Sequence, residues 1–310
     1  MYLILNKYAA GGTAEKKWES IKNFINQRFD NINIVDVSKH IALENVITEA
    51  IVKGNQDFII AGGDGTINYF INKLIHAINE NDIKKIKIGA LGIGSSNDFT
   101  KPIMKENLIN EIPCKINFDG AKLRDIGVIR YKSGSEILHK YFLLNASLGI
   151  TAEANNLFNN PDHILNFLKK QFTSLAILYA ALKTIFTYKN IEVKIISDQS
   201  ERNSFSVSNL SIIKSPHFSG DLCYPNEADY QNGLYDIYLT HSMNKLDLIR
   251  LLISLGKRIF PENKKTIHSK TPKFIIKSQS NFRVEFDGEI ITTNYAECYI
   301  QKEYLKICNN

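Results

Sequence analysis

Cysteine is scarce: four residues in 310, Cys114, Cys223, Cys298 and Cys308, with no C-x-x-C pair among them. That spacing offers neither a disulfide framework nor a zinc ribbon, and reduced thiols in a cytosolic protein are the expectation. The seven histidines stand singly, without H-x-x-x-H spacing or a cysteine partner, so none is assigned to a metal. Long apolar runs are missing too. A membrane-spanning helix needs roughly 18–20 consecutive apolar residues, whereas the best stretch, residues 175–186, is short and interrupted by Lys183. The apolar start Tyr2-Leu3-Ile4-Leu5 lacks the basic flank and long core of a signal peptide. A cytoplasmic location without an integral membrane segment is therefore expected. Also absent are the P-loop G-x-x-x-x-G-K-[ST] and the H-R-D and D-F-G sequences of protein kinases.

What remains is the composition of a globular protein, 44% hydrophobic and 23% charged, which excludes disorder, collagen and coiled coil as the main theme. Single cores stop growing beyond about 250–300 residues, so the length suits one large or two ordinary domains. The net charge of +6 is unevenly spread. Residues 245–277 hold nine Lys/Arg against Asp247 and Glu262, a net +7, which leaves the rest of the chain close to neutral. A concentrated basic segment suits an anionic partner, and a solvated helix face is the plainer alternative. No aromatic–basic interleaving accompanies the pI of about 8.9, so no nucleic-acid partner is expected.

Strand and helix patterns alternate over the first third. Strands are expected at residues 2–6, 32–37, 57–61 and 86–91, and helices at 14–29, 41–52 and 67–79. This spacing predicts an α/β domain with a mostly parallel sheet. Beyond about residue 118, alternating segments, residues 140–147 among them, follow one another as expected strands with helices only near 164–188 and 245–260, the pattern of antiparallel sheets. Asn117-Phe118-Asp119-Gly120 offers turn chemistry, so the boundary is placed there. The expected fold is α/β plus β. Residues 1–118 form the α/β domain, and 119–310 form an antiparallel, β-sandwich-like domain with a few helices.

The most informative segment runs from Asp57 through Ile60-Ala61 into Gly62-Gly63-Asp64-Gly65-Thr66. A buried strand enters three glycines and an aspartate, and a helix follows. Glycines permit close backbone approach and the helix start favours an anion, so a phosphate fits there. Thr66 can cap the helix or bond a phosphate oxygen. Asp64 suits metal or base work beside those phosphates, and an Asp-Gly tight turn is the alternative. A second loop, Gly92-Ile93-Gly94-Ser95-Ser96-Asn97-Asp98, also ends a strand. It departs from the dinucleotide G-x-G-x-x-G because Asn97 takes the third glycine place and no acidic residue follows at the required distance. A third segment, Glu285-Phe286-Asp287-Gly288-Glu289, pairs carboxylates around a glycine. It suits general-base work or magnesium, or is simply a hairpin turn.

Taken together, these segments resemble the diacylglycerol-kinase catalytic superfamily, which includes bacterial lipid kinases, sphingosine kinases and, remotely, NAD kinases. G-G-D-G-T matches at residues 62–66. Leu91-Gly92-Ile93-Gly94-Ser95-Ser96-Asn97-Asp98-Phe99 is similar to the family's L-P-x-G-T-x-N-D-F, and D-G-E lies at 287–289. Asn6 with Gly11-Gly12 sits where the family has N-P-x-x-G, and Asn145-Ala146-Ser147-Leu148-Gly149 resembles a further block. The resemblance covers nearly the whole chain, in family order. It implies an ATP-binding first domain and a β-rich lid that takes a lipid hydroxyl. Nucleotide contacts carry over to Asn6, Ser38, Gly62, Gly63, Gly65, Thr66, Gly94, Ser95 and Asn97. Catalytic carboxylates carry over to Asp287 and Glu289, one of them the base, and to Asp64. Asp64, Asp98 and Asp125 are implied to organise Mg2+ and water around the phosphates, and Asp229 and Asn232 to hold a structural magnesium.

Some positions depart from the pattern. Lys7 replaces a proline and Ser95 a threonine, the glycine-rich stretch before the metal block is reduced to Ser219-Gly220-Asp221, and Asn232 stands where relatives carry aspartate. An amide oxygen can ligate magnesium but adds no charge, so weaker affinity is expected. The implied activity is ATP- and magnesium-dependent phosphorylation of a neutral lipid at a membrane surface, touched peripherally through segment 245–277. A soluble-substrate kinase of the NAD-kinase type and a nucleotide-binding regulator without turnover stay open, as does homodimer formation through a sheet edge.

Overall fold

Tyr2–Leu5 (β1) is buried along its whole length, the pattern of an inner strand of a parallel sheet covered on both faces. In this computed structural model, which describes residues 1–39, 41–197, 200–220 and 222–309, β1 belongs to the first of two compact units. The first unit comprises Met1–Arg124 and the residues from Glu303 onward; the second is Asp125–Lys302. His40 and Asp221 lie outside the described residues.

In the first unit β1 is followed by α1 (Ala14–Arg28), β2 (Asn33–Asp36), α2 (Leu43–Val52), β3 (Asp57–Gly62), α3 (Asp64–Ala77) and β4 (Lys87–Gly92). The four strands pair in parallel in the order β2-β1-β3-β4. Alternation along the strands serves both faces. Leu3, Leu5, Ile59 and Ala61 pack with Ala14, Trp18, Ile21 and Ile25, the inward stripe of α1. Phe58, on the alternate set, packs its ring 5.2 Å from Phe70 of α3. Because β2 lies on one side of β1 and β3 on the other, the chain reverses direction between β1 and β3. Open α/β sheets bind their ligands at the carboxyl ends of strands at such a point.

Two features differ from the sequence expectation. Residues 117–120, read as a turn, lie within a long strand, β6 (Asn117–Ser133), after β5 (Ile112–Lys115). The Asn117 Oδ1 accepts the Gly120 N–H at 3.1 Å, a local turn-type hydrogen bond inside the strand, and the units divide at Arg124/Asp125. The C-terminus also returns to the first unit: Lys306 and Ile307 run parallel beside Lys87 and Ile88 of β4. A strand partner set by tertiary pairing leaves no local signal in the sequence.

The second unit contains β7 (Glu136–Phe142), β8 (Asn145–Gly149), α4 (Ile150–Asn159), α5 (His163–Gln171), α6 (Thr173–Thr187), β9 (Ile191–Ser197), β10 (Ser200–Ile213), β11 (Tyr235–His241), α7 (Lys245–Gly256), β12 (Thr266–Thr271), β13 (Lys273–Phe286) and β14 (Glu289–Asn309), the last running on into the first unit. Its strands pair antiparallel in the order β12-β11-β10-β9-β13-β14, with β8 paired to both β10 and β13. Mixed helix and strand with mainly antiparallel pairing thus characterises this unit. Residues 140–147, expected as one strand, are split between β7 and β8 at Leu143-Leu144. Helix α4 and strand β12 were not expected at all. Ala176, Ala180 and Ile185 of α6 are buried, whereas Leu175, Leu178 and Phe186 are exposed, as are Ile164 and Phe167 of α5. Core packing thus accounts for the side of α6 formed by Ala176, Ala180 and Ile185 and leaves the opposite apolar side uncovered. Among the described residues no helix is long and apolar enough to cross a membrane.

One buried charge in the first unit gives the fold a pH dependence. Lys115 closes β5 almost wholly buried, its Nζ donating to the Lys101 carbonyl at 3.2 Å and lying 5.6 Å from the centre of the Phe99 ring. Burial, with the nearby Arg124 charge, lowers its pKa to about 7 from the ordinary 10.5. Between those two values the unfolded chain holds a proton that the folded protein lacks, so this lysine makes stability rise with pH across that window. The Lys115→Met variant is expected to flatten the rise of the urea-unfolding midpoint between pH 7 and 9.5. Parallel curves for variant and wild type would refute the burial argument.

Candidate active site

The carboxyl ends of β1, β3 and β4 bring their loops together. Asn6 follows β1; its N–H donates to the Ala61 carbonyl of β3 at 2.9 Å and its Nδ2 to Thr66 Oγ1 at 3.0 Å. Gly62 has no room for a side chain, because a Cβ there would lie 2.6 Å from both Cβ and Oγ1 of Thr66. Gly94 approaches even more closely: its N–H donates to the Gly62 carbonyl at 3.1 Å, and a Cβ on it would overlap Gly63 Cα. Two glycine loops therefore touch backbone to backbone. Asn97 holds the far side in a left-handed conformation (φ 53°), its Nδ2 3.3 Å from the Gly94 carbonyl, while Ser95 is exposed at the rim. Lys17 of α1, not singled out from the sequence, donates to the Gly94 carbonyl at 2.9 Å, and burial lowers its pKa.

Helix α3 begins three residues earlier than its apolar spacing suggested, so Asp64, Gly65 and Thr66 form its first turn after Gly63. The Thr66 and Ile67 N–H groups both return to the Gly63 carbonyl, at 2.9 and 3.2 Å. Asp64 does not stand free beside the loops. Its carboxylate accepts the N–H of Asp98 at 3.1 Å and of Phe99 at 2.9 Å, which ties the helix start to the second loop. Burial pushes its pKa up, opposed by those two N–H groups and by Lys101. Asp98 is itself buried and paired with Lys101 at 2.6 Å. Ser38, after β2, bonds through both N–H and Oγ to Asp36. Lys7 is paired with Glu15 at 3.1 Å.

In the second unit, Asp287 and Gly288 are the two central residues of the hairpin joining β13 to β14, both with positive φ (46° and 92°). Asp-Gly is the sequence that a two-residue primed turn prefers. The buried Asp287 carboxylate accepts three backbone N–H groups, of Leu143 (2.6 Å), Leu144 (3.0 Å) and Asn145 (3.1 Å). This acceptor explains why the expected single strand 140–147 breaks there. Glu285, one of the five residues of the motif but given no role in advance, is also buried, accepting from Ser147 Oγ and the Gly288 N–H at 2.8 Å each. Glu289 differs from both: it is exposed and without a partner among the described residues. Of the hairpin carboxylates, only Glu289 has its oxygens free for chemistry.

Asp125 belongs to the second unit and is fully buried against Lys214, with Nζ 3.1 Å from Oδ2. Lys214 also donates to Asn232 Oδ1 and the Leu234 carbonyl, each at 3.0 Å. Burial lowers the Lys214 pKa, and its hydrogen bond and charge interaction with Asp125 oppose that shift. Asp229 spends Oδ1 on the Gln231 and Asn232 N–H groups, both at 3.1 Å. The aspartates that the resemblance assigns to magnesium are thus held by N–H groups or ammonium, and among the described residues no three His, Cys, Asp or Glu converge as metal ligands. The residues present do not fit a protein-built magnesium site. Lys214 was overlooked as the polar terminus of an apolar strand; the signal was a lysine directly after Ile212-Ile213, in a chain that lacks a carboxylate at 232.

Comparison with known proteins adds a family to this geometry. Residues 1–124 match the family model of the diacylglycerol kinase catalytic domain. The diacylglycerol kinase of Mycobacterium tuberculosis is 21% identical over 269 residues, 84% of this chain and 81% of its own. The crystal structure of a diacylglycerol kinase from Bacillus anthracis shares the fold with a TM-score of 0.66 at 16% identity, over 100% of this chain and 96% of that one. Two further solved structures from that organism reach 0.70 and 0.71 at 19% identity.

The division among the carboxylates can be checked by stability alone. Asp287→Ala leaves three buried N–H groups without their acceptor and is expected to cost about 3 kcal/mol or more. Glu289→Gln is expected to change the chemical-denaturation midpoint by no more than about 0.5 kcal/mol, as at other exposed positions. Equal effects in guanidinium titrations would contradict the assignment.

Proposed function

Since residues 1–124 match the family model of the diacylglycerol kinase catalytic domain, we propose that the protein is an ATP-dependent lipid kinase acting on a hydroxyl of a neutral lipid, diacylglycerol or a similar molecule. The observation that carries this reading is the meeting of the Gly62-Gly63 and Gly94 loops at the sheet's reversal point, in a chain that also presents an unpartnered Glu289. Phosphoryl transfer asks for positioning and charge neutralisation rather than covalent chemistry by the protein. The glycine loops let backbone N–H groups approach the nucleotide phosphates, and the α3 N-terminus adds its positive dipole end. The hydrogen bond from Asn6 to Thr66 fixes the first of these loops against the end of β1. Asp64 acts as a positioning residue, bracing the second loop through Asp98 and Phe99.

The lipid hydroxyl oxygen attacks the γ-phosphorus, the bond to the bridging oxygen breaks, and ADP leaves. Glu289 takes the hydroxyl proton, a contribution of about 10²–10⁴-fold. Magnesium is expected to come with the nucleotide, where it would supply neutralisation of the phosphate charge. Asn232 and the altered loops are the features that suggest a regulator without turnover. Beside the Lys214 ammonium, Asn232 no longer counts against catalysis.

Membrane contact is part of the proposal. Of the basic segment, Lys265, Lys270 and Lys273 are paired with Asp247, Asp236 and Glu297 at 2.6, 3.6 and 2.6 Å, and Lys245 donates to the Tyr188 carbonyl. Lys257, Arg258 and Lys264 have no partner among the described residues, and Ile259 beside them is exposed. That cluster just after α7, and the exposed apolar side chains of α5 and α6, suit an anionic lipid surface.

The test is transfer of label from γ-labelled ATP, with magnesium, to a total lipid extract in mixed micelles, with products identified by mass. A labelled lipid is expected, and Glu289→Gln should lower the rate at least about 100-fold with unchanged circular dichroism. No label on any lipid, or a Glu289→Gln rate near wild type, would overturn the reading.

A further inference from the structure

The loop after Tyr230 in the second unit is organised around a cation that the chain supplies itself. Lys214 follows β10, and its side chain is fully buried. An ammonium has three N–H bonds and no acceptor. All three are satisfied by oxygen: Asp125 Oδ2 at 3.1 Å, Asn232 Oδ1 at 3.0 Å and the Leu234 carbonyl at 3.0 Å. One carboxylate, one amide oxygen and one backbone carbonyl form the oxygen-only donor set that hard cations take. The loop closes further on the same carboxylate, since the Gly233 N–H donates to Asp125 Oδ2 at 2.8 Å and the Asp125 N–H to the Tyr230 carbonyl at 2.7 Å. The backbone beneath Lys214 is fixed as well. The N–H groups of Lys214 and Ser215 both reach the Leu144 carbonyl, at 2.8 and 2.9 Å.

Charge balance explains the pair of residues together. A divalent ion between two aspartates and an ammonium beside one aspartate are both neutral. With Asn232 in place of an aspartate, the second arrangement is the balanced one, and a divalent ion beside Lys214 would leave uncompensated buried charge. We infer that the Lys214 ammonium is the permanent cation of the loop at residues 230–234, and that the second unit assembles without a divalent metal there. Asn232 and Lys214 are therefore two parts of one charge balance around Asp125. Asn232→Asp alone does not create a magnesium site, because the ammonium already occupies the oxygens. This inference stands apart from the proposed lipid kinase activity.

The experiment uses nucleotide-free protein stripped with a chelator. Thermal unfolding is followed against Mg2+ for wild type, Asn232→Asp and the double variant Lys214→Asn/Asn232→Asp. The midpoints of wild type and the single variant are expected to stay put. The double variant should unfold earlier without metal and recover by about 5 °C or more with saturating Mg2+. A saturable magnesium shift in wild type, or a folded double variant that ignores magnesium, would overturn the inference. Equilibrium dialysis of wild type against Mn2+, with the metal counted per chain, decides the matter even where the double variant does not fold. No retained manganese is expected, and one ion per chain would overturn the inference.

Discussion

The first unit depends on two stretches of backbone approaching closer than any side chain allows. Gly94 meets Gly63 with no space for a Cβ on Gly94, and Gly62 makes room for Thr66 in the same way. Because the loops belong to β3 and β4, neighbours in one parallel sheet, their spacing is set by strand pairing and not by the loops themselves. The hydrogen bonds from Asn6 to Ala61 and Thr66, and from Asp64 to the second loop, then hold the arrangement in place. Preorganised backbone N–H groups at a helix start are what an anionic phosphate requires, and they cost no reorganisation when the ligand arrives.

Much of this was legible in the residues. The apolar strands at 2–6, 57–61 and 86–91 differ from β1, β3 and β4 by only a residue or so at the ends, because continuous burial leaves a continuous apolar run. Of the apolar stripe Trp18, Ile21, Phe24 and Ile25 that marks α1, Trp18, Ile21 and Ile25 are buried, whereas Phe24 is exposed. What escaped were features fixed by distant partners. Lys306 and Ile307 join the first sheet because β4 offers an edge, and nothing near them in the sequence says so. The break between β7 and β8 is imposed by Asp287, more than 140 positions away.

Carboxylates were the hardest residues to read. A carboxylate in a motif suggests metal or proton chemistry, but a buried one must first satisfy its own oxygens. Asp64 and Asp287 do so with backbone N–H groups, Asp98 with Lys101 and Asp125 with Lys214. Of the hairpin carboxylates, Glu289 is the one without a partner among the described residues, because it begins the strand that follows the turn at an exposed position. Lys214 shows the reverse case. A lysine at the end of an apolar strand looks like a solvated terminus, yet the oxygens of Asp125, Asn232 and Leu234 enclose it. Sequence alone gives residue type and spacing; the sorting of charges between structure and chemistry appears only when hydrogen-bond partners are known.

The most direct test of the central proposal is calorimetric titration of magnesium–ATP into wild type and Gly94→Ala, with folding of both confirmed by circular dichroism. Wild type is expected to bind, and the variant, its loops pushed apart by a single methyl group, to lose affinity by at least about tenfold, or 1.4 kcal/mol. A folded Gly94→Ala protein that binds ATP as tightly as wild type would contradict the assignment of the paired glycine loops to the nucleotide phosphates.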